Sequence, residues 1–105
     1  MKRDNILSMI GLATKAGKAV SGEFMSEKMI KAGRAFMAIV AEDASDNTKK
    51  RFCDMCQYYQ VPLYFYVDKV TLGHAMGKEF RASLAVTDAG FAKEIIKRIE
   101  LQSKA

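Results

Sequence analysis

No apolar run in this sequence approaches the roughly 18–20 residues that a membrane-crossing helix needs, and the opening stretch MKRDNILSMIGLATKAG has neither a continuous apolar segment nor a small-residue cleavage site. A soluble protein of the cytoplasm, making no membrane contact, is therefore expected. Histidine occurs once, at His74, and no serine, cysteine and carboxylate pattern points to it, so it reads as a surface or partly buried helix residue. Cysteine occurs twice, as the Cys53-x-x-Cys56 pair. Zinc would need two further ligands, and one histidine does not supply them. A redox dithiol draws its lowered thiol pKa from a helix N-terminus, whereas these cysteines fall about two turns into a helix, where that effect has faded. Packing, chiefly by Cys56, is the simpler reading, and neither a metal nor a cofactor is expected.

What is present is the balance of an ordinary folded domain. Half of the 105 residues are hydrophobic and 28% are charged, with a single proline, Pro62, and no long linker, repeat or low-complexity segment. One domain spanning residues 1–105 is expected, large enough to bury ~60–70% of its unfolded-chain surface without a covalent staple. The net charge is +5, and the 17 Lys and Arg are spread along the chain rather than massed in a tail. Such a surface favours polyanions through counterion release, although charge alone does not separate a nucleic-acid binder from a well-solvated face.

Gly17 to Ser45 is the organising stretch. Lys18 to Ser21 is too short for a helix and is bounded by glycines, so it reads as a brief strand. Ser21 or Gly22 then caps a helix from about Glu23 to Ala32, with Met25, Met29 and Ala32 on one face, and Gly33 stops it. Phe36 to Ala41 is an apolar run of strand length. The exposed corner of this unit is Ser21-Gly22-Glu23, where free backbone N–H groups can meet an anion.

The flanking segments alternate in the same way. Asp4 caps a first helix to Ala16, with Ile6, Ile10 and Ala13 inward and Gly17 beyond its end. Ser45 caps a third helix to about Gln60, with Phe52, Met55, Cys56 and Tyr59 as its apolar stripe. Lys49, Lys50 and Arg51 sit in its early turns, against the macrodipole, which makes them a candidate contact patch beside the plainer reading of a solvated face. Val61 to Val67 is a β-branched and aromatic strand begun by Pro62. Asp68 caps a short helix from Lys69 to about Met76, Ala82 to Thr87 is a strand buried on both faces, and Asp88 caps a last helix with Phe91, Ile95 and Ile99 inward. Gln102 to Ala105 is expected to fray. Five helices alternating with four strands predict an α/β fold with a mixed or parallel sheet covered on both faces.

Two further motifs have plain explanations. Gly73-His-Ala-Met-Gly77-Lys78 has three residues between its glycines and Glu79 where a phosphate loop carries Ser or Thr. Glu42 and Asp43, with Asp46, could hold a hard cation, but a strand-to-helix loop with capping acids accounts for them.

The order GKAVSGE, KMIKAGRAFMAIVAEDAS, YQVPLYFY, LGHAMGKEFRASLAV and TDAGFAKEI resembles the kink-turn RNA-binding ribosomal-protein superfamily, in particular its small bacterial YlxQ-type branch. The resemblance runs from about Asn5 to Ile96, and its most specific pieces are the Gly22-to-Asp43 spacing and the LGxAxG segment at Leu72 to Gly77. It implies a three-layer α/β/α sandwich with a four-stranded mixed sheet and about five helices. It also implies a non-enzymatic, monomeric protein whose partner is structured RNA, ribosomal RNA included, with a protein of the translation machinery as a further partner.

In that family the glycine at the start of the second helix lets the backbone approach RNA, and polar residues just after it read guanines of sheared G·A pairs. Gly22 and Lys28 match. The two base-reading positions, commonly Asn and Glu in archaeal members, hold Phe24 and Met25 here, and neither can hydrogen-bond a base edge. Glu23 can accept from guanine but repels phosphate. RNA binding through shape, stacking and charge is what remains. The loop before the last strand, which in the family flanks an extruded nucleotide, carries Lys78, Glu79, Phe80 and Arg81. Phe80 reads equally as a stacking platform or a strand-edge core residue, and Arg81 as a stacking group or a phosphate ligand. Lys15, Lys18 and Arg34 extend the basic rim. The alternative is a protein-interaction module with Phe24 and Met25 as an exposed apolar patch.

Overall fold

The computed structural model describes residues 4–103. The elements are α1 (Asn5–Lys15), β1 (Ala19–Ser21), α2 (Glu23–Lys31), β2 (Met37–Val40), α3 (Asp46–Tyr59), β3 (Leu63–Phe65), α4 (Lys69–Ala75), β4 (Ser83–Val86) and α5 (Ala89–Ser103). The strands form one mixed sheet in the order β1-β4-β2-β3, with β4 antiparallel to both β1 and β2, and β2 parallel to β3. The two central strands are buried at every position, as apolar sequence without alternation demands.

Side chains alternate across those strands and so serve two cores. Met37 and Ile39 of β2, with Leu84 and Val86 of β4, face Ile6 and Ile10 of α1, Leu72 of α4, and Ile95 and Ile99 of α5. Ala38 and Val40 face Ile30 of α2 and Phe52, Met55 and Cys56 of α3. Helices thus cover both faces of the sheet, giving the three layers expected.

The caps follow the sequence closely. Asp4 Oδ1 accepts from the N–H groups of Ile6 and Leu7, Ser45 Oγ from Thr48 N–H and Asp68 Oδ2 from Thr71 N–H. Asp88 Oδ2 likewise accepts from Phe91 N–H at the start of α5. The other carboxylate oxygen of Asp4 accepts from the Tyr66 hydroxyl at 2.6 Å, tying the residue after β3 to the start of α1. Burial and that bond raise the Tyr66 pKa.

Three inner faces differ from expectation. On α2 the buried residues are Ser26 and Ile30, whereas Met25 and Met29 are half-buried on the flank and Ala32 is exposed. The reason is the floor beneath: α2 packs over β4, whose residues on that side are the small Ser83 and Ala85, and turning the small Ser26 inward lets the helix sit close. On α3, Tyr59, the last residue of the helix, is exposed rather than part of the stripe and packs edge-on against the exposed Tyr58 ring at 4.8 Å, and Gln60 then ends the helix in a left-handed conformation (φ 58°). On α5, Ala92 takes the inward place expected of Phe91, which is half-buried at the core's edge. The strands are also shorter than their apolar runs, although flanking groups still pair, Phe36 N–H with Val86 C=O and Ala41 N–H with Ala82 C=O. Gln102 and Ser103 are helical, Ser103 Oγ donating to Ile99 C=O, and the remainder of the expected frayed end lies outside the described residues.

The hydroxyls of Ser26 and Ser83 are buried with no hydrogen-bond partner among the described residues. Removing a buried, unpartnered hydroxyl relieves a desolvation penalty, so Ser26→Ala is expected to leave urea stability unchanged or raise it by up to about 1 kcal/mol. A loss of more than about that amount would show the hydroxyl to be bonded in solution.

Cys53 is exposed and Cys56 buried, both as free thiols. Burial, with a smaller contribution from Cys53, pushes the Cys56 pKa up from 9.0 to about 11. Alkylation of the folded protein at about pH 8 should therefore modify Cys53 and spare Cys56 until the chain unfolds. Since the folded state holds the Cys56 proton to higher pH, its stability contribution is complete below 9.0 and declines as pH rises toward about 11. Thermal melts across that window, compared with Cys56→Ala, check the sign.

Candidate functional site

The start of α2 is shaped by one backbone conformation. Gly22 has φ 91° and ψ 156°, a region that glycine adopts and side-chain-bearing residues avoid. A Cβ there would meet nothing within 4 Å, so conformation rather than crowding requires the glycine, and the space beside it is open. Its N–H donates to Ser83 C=O at 2.9 Å, which holds the helix start against the beginning of β4. Gly22 is the N-cap and offers no side-chain bond, so the first-turn N–H groups have no side-chain acceptor among the described residues and the positive end of the helix dipole is uncapped.

Ser21, the other cap candidate, has a different role. Its Oγ accepts from Arg81 Nε at 3.0 Å, joining residues 60 apart in the chain, while Arg81 Nη1 donates to Phe80 C=O at 2.7 Å. The loop before β4 is thereby brought to the start of α2. It is held from below by α4: Lys78 N–H donates to Gly73 C=O and Arg81 N–H to Lys69 C=O. A Cβ on Gly73 would lie 2.4 Å from Phe80 Cα, so the loop backbone rests directly on the helix. With its backbone pinned there, Phe80 turns outward and is 56% exposed, which resolves its two readings against a core position. Lys78 and Glu79 are exposed beside it.

The outward face of α2 carries Phe24, 77% exposed, and Lys28 one turn further on. Its flank toward α3 carries a charge network that the sequence did not reveal. Arg51 donates to Glu23 Oε1 at 3.1 Å and to Glu27 Oε1, and Lys31 Nζ lies 2.8 Å from Glu27 Oε2. The Lys31 bond, with Arg51 adding to it, holds the Glu27 carboxyl below its usual pKa. Glu23, expected near the bases, is thus turned toward a guanidinium. Of the cationic run on α3, Arg51 serves this clasp and Lys50 pairs with Asp54 at 3.0 Å, so little of it is left as a contact patch. A cleft of about 390 Å³ lies among Glu23, Phe24, Glu27, Lys28, Lys31 and Arg51.

Lys18 and Arg34 stand elsewhere. Lys18 C=O accepts from Thr87 N–H, and Arg34 precedes Phe36, whose N–H donates to Val86 C=O, so both belong to the end of β4 opposite Gly22. Four residues of strand, about 10 Å, separate the two ends. Lys15 lies in a groove between α1 and α4 with His74 and Gly77. Asp43 Oδ1 accepts from Lys69 N–H at 2.9 Å, in keeping with a loop acid rather than a metal ligand. Among the described residues no three His, Cys, Asp or Glu are close enough to share a metal ion.

These features define a small α/β/α sandwich with an open helix start set beside a cationic and aromatic loop. The chain belongs to the Ribosomal protein L7Ae/L30e/S12e/Gadd45 family, whose pattern matches residues 4–96. It is 44% identical over 92 residues to the RNA-binding protein YlxQ of Bacillus subtilis, covering 88% of this chain and 92% of that protein. The RNA-binding protein YlxQ of Enterococcus faecium is 37% identical over 98 residues, 93% of this chain and 94% of that one. A solved structure of a protein with unknown function from Bacillus halodurans superposes with a TM-score of 0.90 at 34% identity, covering 93% of this chain and 99% of that chain. The Giardia lamblia 15.5kD RNA binding protein shares the fold at TM-score 0.78 and 20% identity, covering 96% of this chain and 92% of that one.

The contact of Gly73 with the Phe80 backbone yields a test of how this corner is held. Gly73→Ala should destabilise the protein by about 1–3 kcal/mol, since backbone rather than a flexible side chain must give way. In amide spectra of the variant, the largest shifts should fall on residues 78–82 and, through the Arg81 bond, on Ser21 and Gly22. Shifts confined to α4 would show that the loop is not carried by this contact.

Proposed function

We propose that this protein binds structured RNA, without catalysing a reaction, through the glycine-led start of α2 and the loop between α4 and β4. The observation that carries the reading is the Arg81–Ser21 hydrogen bond, because it sets a cation and an exposed aromatic beside uncapped helix N–H groups. Each part has a distinct task. The open backbone at Gly22 and the dipole of α2 receive a phosphate, Lys28 neutralises another, and Phe80 stacks on an unpaired base. Phe24 supplies a second exposed ring, and no side chain at this corner reads a base edge in the manner of Asn or Glu. Affinity on this reading is largely electrostatic, and selectivity comes from RNA shape and from an available unstacked base.

The clasp on α3 supports the same reading. Glu23 and Glu27 would repel phosphate from an RNA-facing helix, and Arg51 holds both while Lys31 holds one of them. The competing idea of a protein-docking patch at Phe24 fits less well. Phe24 is surrounded by Glu23, Glu27, Lys28, Lys31 and Arg51, and Met25 is half-buried, so no contiguous apolar surface forms there.

Anisotropy titrations with a kink-turn RNA and a plain duplex test the proposal. Affinity should fall steeply with salt, and Lys28→Ala should lower the log-log salt slope by about one unit for both RNAs. Phe80→Ala should cost ~1–3 kcal/mol for the kink-turn, with its unpaired bases, and little for the duplex. Arg51→Gln should weaken binding by roughly fivefold, about 1 kcal/mol, and adding Glu23→Gln and Glu27→Gln should restore it. Absence of RNA binding at low salt would overturn the assignment, as would tight kink-turn binding with Lys28→Ala and Phe80→Ala both silent.

A further inference from the structure

The end of the sheet opposite Gly22 carries a second feature that RNA binding at α2 does not use. A groove of about 620 Å³ runs along α5 from Ala89 to Leu101, walled on its other side by Phe36. Twelve helical steps give it a length of about 18 Å. Its floor is made by Ala89, Ala92 and Ile96, the two alanines creating the hollow, and Phe36 and Leu101 stand 48% and 59% exposed along it. Lys93 and Lys97, one turn apart, border it, and Arg34 lies exposed two residues before Phe36. None of these three cations pairs with a carboxylate among the described residues. The acid at the groove, Glu100, accepts from the Tyr64 hydroxyl at 3.0 Å.

We infer that this groove docks an acidic amphipathic helix of a protein partner. An apolar trough three to four turns long suits the i, i+3, i+4, i+7 face of a helix, and the unpaired lysine row selects for carboxylates along that helix's flank. Two other occupants fit worse. A second copy of this chain would bring Lys93 and Lys97 toward their counterparts on a molecule already carrying a net charge of +5. RNA would meet a floor of aliphatic side chains with no hydrogen-bond donors and no row of exposed rings on which several bases could stack. Because Gly22 and Phe36 lie at opposite ends of β4, a helix here leaves the α2 corner uncovered, so both partners can be held at once.

The test uses the full chain and two synthetic peptides of about four helical turns, one with leucine on one face and glutamate elsewhere, the other with lysine replacing every glutamate. In amide titrations up to about 1 mM, the acidic peptide should move Phe36, Ala89, Ile96 and Leu101, and the basic peptide should bind at least about tenfold more weakly. The exposed double substitution Lys93→Glu and Lys97→Glu should reverse that preference, and Phe36→Ser should weaken the acidic peptide by roughly tenfold. The lysine variant should melt within a few degrees of the parent, the Phe36→Ser variant should keep a folded amide spectrum, and both should keep RNA affinity within about threefold at physiological salt. The inference is overturned if the acidic peptide moves no groove residue, if the two peptides bind alike, or if its shifts map to Phe24 instead. Loss of RNA affinity in the lysine variant with its fold intact would assign the groove to nucleic acid and overturn it equally.

Discussion

The close seating of the Phe80 backbone on Gly73 is the contact on which the α2 corner depends. A helix surface normally holds a following loop at side-chain distance, and a glycine removes that spacer. The loop then lies near enough for Lys78 and Arg81 to donate backbone N–H groups to α4, which fixes its path to β4. With that path fixed, Phe80 faces solvent and Arg81 reaches Ser21. The aromatic ring is therefore presented by backbone geometry rather than by packing of its own side chain, while the guanidinium of Arg81 is spent in part on fixing the loop to Ser21.

Charge is arranged by a similar division. The protein carries an excess of five positive charges, yet the two acids of α2, Glu23 and Glu27, are held by partners on α3 and on α2 itself. Exposed pairs of this kind contribute little stability, about 0–1 kcal/mol each. Their consequence lies in the field they leave behind, a helix whose outward face presents Lys28 while its carboxylates point sideways. At the other end of the sheet Lys93 and Lys97 have no such partners among the described residues and border an apolar trough instead.

Local chemistry made much of this fold legible. Asp4, Ser45, Asp68 and Asp88 announce helix starts because their short oxygens reach backbone N–H groups, and Gly17, Gly33 and Gly77 mark ends because they adopt positive φ. The Gly22 corner and the Phe80–Arg81 loop were readable for the same reason, with the family resemblance saying that they meet. What escaped was set by distant partners. The inner face of α2 depends on small residues of β4 nearly sixty positions later, and periodicity within the helix favoured its methionines. Lys18 and Arg34 read in sequence as an extension of the basic rim, whereas the backbone pairing puts both at the far end of β4. Gln60 ends α3 in a left-handed conformation without glycine, and no composition rule flags such a residue. The Arg51 clasp joins positions 24 and 28 apart in the chain, beyond any helical spacing rule.

The span between Ser21 and Arg81 also bears on when the protein becomes competent during synthesis. β1 is an edge strand whose neighbour in the sheet, among the described residues, is β4, so that pairing waits until the later part of the chain has emerged from the ribosome. Until then α2 has neither the β4 floor beneath it nor the loop at its start. Closing so long a chain segment is also among the slower steps of folding for a domain of this size. Truncated translation products that stop short of β4 therefore lack this corner altogether.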